Sequence, residues 1–115
     1  MAFGTPGGDQ QDQWQMILFL RHVRHRLNLQ EAIDAPLFHT QHAPSSFYPR
    51  AAMPGSLTIE ASFPNQTIRE LERRGHELTV TEPWTIGRLT AAARDGAILK
   101  AAATPRLMQA YALGR

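Results

Sequence analysis

Apolar positions recur at helical spacing from Asp9 to Leu27, where Met16, Leu20, Val23 and Leu27 form one stripe and Trp14, Ile17 and Leu18 widen it. With Phe19 added, apolar groups cover most of the middle turns, so the pattern predicts a helix buried on more than one side. Asn28, with Glu31 three residues later, reads as a capping box opening a short second helix, Leu29 to Ala35, which Pro36 ends. The chain then turns extended. Leu37 to His42 alternates loosely as a strand, and a connection holding Pro44, Pro49 and Pro54 follows. Ser56 to Ser62 sets Leu57, Ile59 and Ala61 against polar neighbours, the pattern of a half-buried strand stopped by Phe63-Pro64. Ile68 and Leu71 on one face, charged residues on the other and Gly75 as terminator predict a surface helix beginning at Pro64. His76 to Glu82 reads as another strand. Ile86 to Arg94 and Ala97 to Ala103 flank Asp95-Gly96, a two-residue turn that favours a tight hairpin. Thr104 to Arg115 has no clear pattern, with Tyr111 and Leu113 as packing groups.

This order predicts an α+β class with a mostly antiparallel sheet and helices on one face. The alanine-rich faces 91–93 and 101–103 imply close packing by a neighbouring layer. At 115 residues the chain is expected to be one small domain, 1–115, or a piece of a larger protein.

Charge adds little. The formal balance is +2, and Lys100 is the sole lysine among 12 basic residues. Arg21, His22, Arg24, His25 and Arg26 cluster, but they close a helix that Asp9 and Asp12 open, an order the helix dipole favours. No aromatic residues interleave the cluster as a stacking platform, so no nucleic-acid partner is expected. No membrane partner is expected either, because the run from Met16 to Leu20 is too short to span a bilayer. Nothing at the N-terminus reads as a targeting signal, which leaves cytoplasm and periplasm open.

The absence of cysteine removes disulfides, thiolate metal sites and a cysteine nucleophile. His22/His25 and His39/His42 stand three apart, but in a strand that spacing points to opposite faces, so neither a metal nor any other cofactor is expected. Ser45-Ser46 near His42 lacks an elbow or an orienting acid, and the loop hydroxyls read as turn-satisfying groups. Thr5 is not placed to become an N-terminal nucleophile. Trp14 and Trp84 read as packing residues.

One stretch remains. Phe3-Gly4-Thr5-Pro6-Gly7-Gly8-Asp9-Gln10 is a glycine-rich turn running into the long helix, where backbone N–H groups can converge on an anion or oxyanion. By itself it reads first as a tight turn plus a helix start. In order, Gly4-Thr5-Pro6-Gly7-Gly8, the segment from Asn28 to Pro36 with Phe38-His39, Arg74-Gly75-His76, and Ala102-Ala103-Thr104-Pro105-Arg106 resemble the C-terminal end of γ-glutamyltranspeptidases.

The resemblance implies part of an αββα N-terminal-nucleophile hydrolase sandwich, matured by self-cleavage. In that family a threonine exposed at the new N-terminus attacks a γ-glutamyl amide, and water or an acceptor amine resolves the acyl-enzyme. Gly7 and Gly8 match the paired glycines whose amides form the oxyanion hole, which makes them both the catalytic and the substrate-binding positions carried over. The nucleophilic threonine and the residues gripping the donor's α-amino and α-carboxylate groups belong to segments absent here. The implied partners are the missing N-terminal segment and large subunit, with a small γ-glutamyl or acyl-amide substrate, and the fragment alone is expected to be inactive. Asp9 sets a carboxylate beside the turn and opens a second reading, an acylase-like amidohydrolase of the same family. A third is a non-catalytic module that self-associates into a homo-oligomer through an uncovered face.

Overall fold

The computed structural model describes residues 1–108 and 110–113, and the chain divides into two compact units, residues 1–35 with 87–115 and residues 36–86. The end of the segment left without a pattern, Gln109, Gly114 and Arg115, lies outside the described residues.

The first unit opens with a strand the periodicity does not reveal, β1 (Ala2–Gly4), because three residues are too few to show alternation. Helix α1 (Gln10–Val23) and helix α2 (Leu29–Asp34) follow. The capping box is present: the Asn28 side chain accepts from Glu31 N at 2.9 Å, and the Glu31 carboxylate accepts from Asn28 N at 2.9 Å. Strands β5 (Thr90–Asp95) and β6 (Ile98–Ala103) form the hairpin expected around Asp95-Gly96. Here β5 is the middle strand of an antiparallel sheet, order β1-β5-β6. Its register sets Phe3 beside Ala91 and Ala91 beside Ala102.

Ala91 and Ala102 are buried while Ala92 and Ala101, on the other face, are exposed. The small side chains on the buried face let helices approach closely: α2 packs on β6, and Phe3 of β1 stacks on Phe19 of α1 with ring centroids 6.4 Å apart. Burial on α1 falls on Trp14 and Leu18, one turn apart. The stripe read from periodicity faces outward in this chain, where Met16, Leu20 and Val23 are 57%, 45% and 55% exposed. Because α1 is apolar almost all round, spacing alone does not select its inward face.

Arg106 anchors the end of this unit. It is 1% exposed, and its guanidinium donates to the carbonyls of Ile33 (2.7 Å), Asp34 (3.3 Å) and Ala35 (3.1 Å) at the C-terminus of α2. The free carbonyls of a helix end suit a cation, and the planar fork reaches several of them at once.

The second unit holds β2 (Phe38–Thr40), β3 (Ser56–Glu60), α3 (Asn65–Arg73) and β4 (Glu77–Thr81). The sheet order is β2-β3-β4. The β2–β3 pair is antiparallel, but β3–β4 is parallel because α3 crosses over between them. Glu60, fully buried, accepts from the backbone N–H groups of Leu37 (2.9 Å), Thr85 (3.0 Å) and Ile86 (3.1 Å). One carboxylate thus satisfies donors that follow β4 and precede β2. Trp84 is 44% exposed, so it is not a core residue of this unit, which leaves packing against another layer as its reading.

Candidate functional site

The glycine turn is shaped by what surrounds it. Gly7 has φ +143° and Gly8 φ +59°, both in the left-handed region that a side chain disfavours. A Cβ on Gly7 would overlap the Trp14 ring at Cζ3 and sit 3.1 Å from Cη2. Trp14 is therefore the wall against which the turn is folded, two turns of chain away from it in sequence.

The turn passes directly into α1. Gln10 N donates to Gly7 O (3.3 Å) and Gln11 N to Gly8 O (3.1 Å), so both glycine carbonyls are drawn into the helix start. With the Gln11 amide oriented so that both of its ends find partners, the side chain bridges the turn: its nitrogen donates to Thr5 O and its oxygen accepts from Gly8 N, each at 3.3 Å. At that length the bond to Gly8 N is weak. Among the described residues no acceptor meets Gly7 N–H. The paired amides thus lie at the positive end of α1, one held loosely and one open, an arrangement suited to a developing negative charge.

Asp9 occupies the position preceding α1 with φ −64° and ψ −20°, and its side chain makes no capping bond. A carboxylate there is favoured by the helix dipole and stands next to the paired glycine amides.

Thr5 is a turn residue: its hydroxyl donates to Pro6 O (2.8 Å) and accepts from Arg88 N (3.0 Å). Arg88 is the residue that the sequence reading missed. It lies beside the turn in a depression of about 200 Å³ lined by Gly4, Thr5, Pro6, Arg88, Thr90 and Ala110. A lone arginine in the small and apolar run from Ile86 to Ala93 was the available signal.

Several of the other groups weighed from sequence serve backbone near them. Arg21 Nη1 donates to Ala35 O at 3.0 Å and His22 Nδ1 lies 2.8 Å from Leu27 O, so part of the basic cluster serves local backbone. His42 Nδ1 accepts from Gly55 N at 3.0 Å, and the Ser45 hydroxyl accepts from Phe47 N at 3.1 Å. Burial lowers the pKa of His39 and keeps it neutral. Among the described residues no group of three or more His, Asp or Glu is arranged to hold a metal.

Known proteins resemble this chain. The family model for γ-glutamyltranspeptidase matches residues 1–114. A glutathione hydrolase proenzyme from Pseudomonas sp. (strain A14) is 44% identical over 84 residues, 72% of this chain and 13% of its own length. The solved structure of LmbA2991HD superposes with a TM-score of 0.91 at 57% identity, covering 99% of this chain and 21% of its own. A cephalosporin acylase from Bacillus halodurans superposes with a TM-score of 0.73 at 28% identity over 90% of this chain and 18% of its own. The chain therefore spans between an eighth and about a fifth of these relatives.

Proposed function

The chain belongs to the γ-glutamyltranspeptidase family, an α+β fragment of an N-terminal-nucleophile hydrolase, and from that premise we propose that it is the C-terminal portion of a γ-glutamyltransferase or hydrolase whose oxyanion hole it supplies. The observation that carries this reading is the turn itself: consecutive glycines at positive φ, braced on Trp14, present their amides at the start of α1.

The chemistry would run as follows. A threonine hydroxyl from outside this chain attacks the amide carbonyl of the donor, and the carbonyl oxygen becomes an oxyanion held by Gly7 and Gly8 N–H. The C–N bond then breaks, the amine leaves with a proton, and an acyl ester remains on the threonine. Water or an acceptor amine adds to that ester, regenerating an oxyanion at the same amides, and the acyl group departs. For Gly8 N–H to take part, its weak bond to Gln11 gives way to a shorter, charge-assisted one. The fragment alone is inactive, because it carries the stabilising amides without the nucleophile. The missing N-terminal segment and large subunit are its partners.

The test is turnover of γ-glutamyl-p-nitroanilide by the full-length enzyme and by residues 1–115 separately. Turnover is expected only from the former, and comparable rates would overturn the reading. The acylase alternative is favoured by the likeness to the cephalosporin acylase and by Asp9 beside the amides. A higher kcat/KM for a simple acyl anilide than for the γ-glutamyl anilide would select it.

A further inference from the structure

We infer that Arg88 is a specificity-determining residue that receives a carboxylate of the substrate reacting at the Gly7-Gly8 turn, an inference that rests on the amide-cleaving role proposed for that turn. Arg88 Nε is buried and has no hydrogen-bond partner among the described residues. A guanidinium cannot discard its proton, so a buried N–H without an acceptor is a standing cost that a ligand can relieve.

The position of Arg88 says where that ligand belongs. Leu89 and Ala91 are buried, whereas Thr90 on the opposite face is exposed and lines the same depression as Arg88. Pro6, the residue before Gly7, lines it too. Arg88 N donates to the Thr5 hydroxyl at 3.0 Å and that hydroxyl donates to Pro6 O at 2.8 Å, so two hydrogen bonds fix the backbone of Arg88 to the glycine turn. A molecule reacting at the turn and extending over Pro6 would therefore enter the depression that Arg88 lines. Among groups an amide substrate can carry, a carboxylate matches the fork of Nε and one Nη with two parallel charge-assisted bonds. The carboxylate can stand on the acyl side or on the leaving amine, and the two are separable by substrate choice.

The full-length enzyme and its Arg88→Gln and Arg88→Lys variants would be assayed on three anilides. Pentanoyl-p-nitroanilide is neutral, glutaryl-p-nitroanilide adds a carboxylate to an acyl chain of the same length, and pentanoyl-4-aminobenzoate places it on the leaving group. Arg88→Gln is expected to lower kcat/KM for one of the anionic substrates about 10- to 100-fold, through KM, with the neutral one changed less than about threefold. Arg88→Lys, which keeps the charge but loses the fork, should retain part of the preference. An equal change on all three substrates, as expected if Arg88 pairs with an acidic side chain of the rest of the enzyme, would overturn the inference, as would no change at all. Hydrolysis of the neutral anilide by wild type reports independently on amide cleavage. Wild-type enzyme that cleaves none of the three, nor γ-glutamyl-p-nitroanilide, would sink both.

Discussion

Gly7 and Trp14 make a pair in which each residue explains the other: the indole lies where a side chain on residue 7 would be, and φ of +143° admits no other residue comfortably. Gly7→Ala in the full-length enzyme should therefore displace the amide as well as strain the turn, with a loss of kcat approaching the 10²- to 10³-fold typical of one missing oxyanion donor. Steady-state kinetics would show this as a fall in kcat with little change in KM. Gln11 acts on the same amides from the other side. Its side chain ties Thr5 O to Gly8 N, so Gln11→Leu loosens the turn, and kcat should fall about 2- to 10-fold, the worth of a neutral hydrogen bond. A rise in kcat would instead mean that freeing Gly8 N–H, whose bond to Gln11 the oxyanion must displace, outweighs the loss of the brace on Thr5. The glycines were legible in the sequence as a tight turn before a long helix, while their proposed oxyanion role came only with the family resemblance. Trp14 as their wall was not, since helical periodicity gives it only a place on α1, and Arg88 was not, because nothing local ties it to a turn 80 residues earlier.

At the scale of elements, long-range polar anchors decide what propensity leaves open. α2 is only six residues long, too short to be stable alone, and its C-terminal carbonyls are gathered by Arg106. Arg106→Met should cost about 3 to 5 kcal/mol and Arg106→Lys somewhat less, read as the loss in denaturant midpoint of the full-length enzyme, because a buried set of carbonyls loses its donors. The capping box of α2 and the Asp95-Gly96 hairpin were readable because their signals are local. The parallel β3–β4 pairing and the role of Glu60 were not, because both are fixed by contacts across 21 to 26 residues. Surface charge behaves differently. On α3 the bonds from Arg73, and secondly from Arg74, hold the Glu70 carboxyl down to about 2 from an ordinary 4.5. The native state thus binds that proton less readily than the unfolded chain, so the stabilisation is complete above pH 4.5 and is lost as pH falls towards 2. Glu70→Gln should accordingly lower the melting temperature slightly at pH 7, with the gap to wild type narrowing in acid and in high salt because the pair is solvent-exposed.

For the molecule as a whole, the apolar surface left in view is the feature with consequences. On α1, Met16, Phe19, Leu20 and Val23 stand between 41% and 57% exposed. On the open side of the β1-β5-β6 sheet, Ala92, Ala101 and Thr90 present small side chains that another layer can approach closely, and Leu99 at the end of the hairpin is 80% exposed. Apolar periodicity does not mark burial on α1 within this chain, as expected of a residue set that is covered in a protein about five to eight times longer. Expressed alone, residues 1–115 should therefore associate with themselves, with light scattering showing a mass that rises with concentration, whereas the full-length enzyme keeps a constant mass. Replacing Met16, Leu20 and Val23 by glutamine should shift the fragment towards monomer with little loss of its own fold, because none of the three is buried in it, and should destabilise the full-length enzyme, where covering them with an apolar layer contributes on the order of 1.5 to 3 kcal/mol each. Opposite effects of the same triple substitution in the two contexts would establish that this face is an interior surface of the parent enzyme. A fragment that stays monomeric at high concentration, together with a full-length enzyme indifferent to the substitutions, would show instead that the exposed stripe is an outer surface in both.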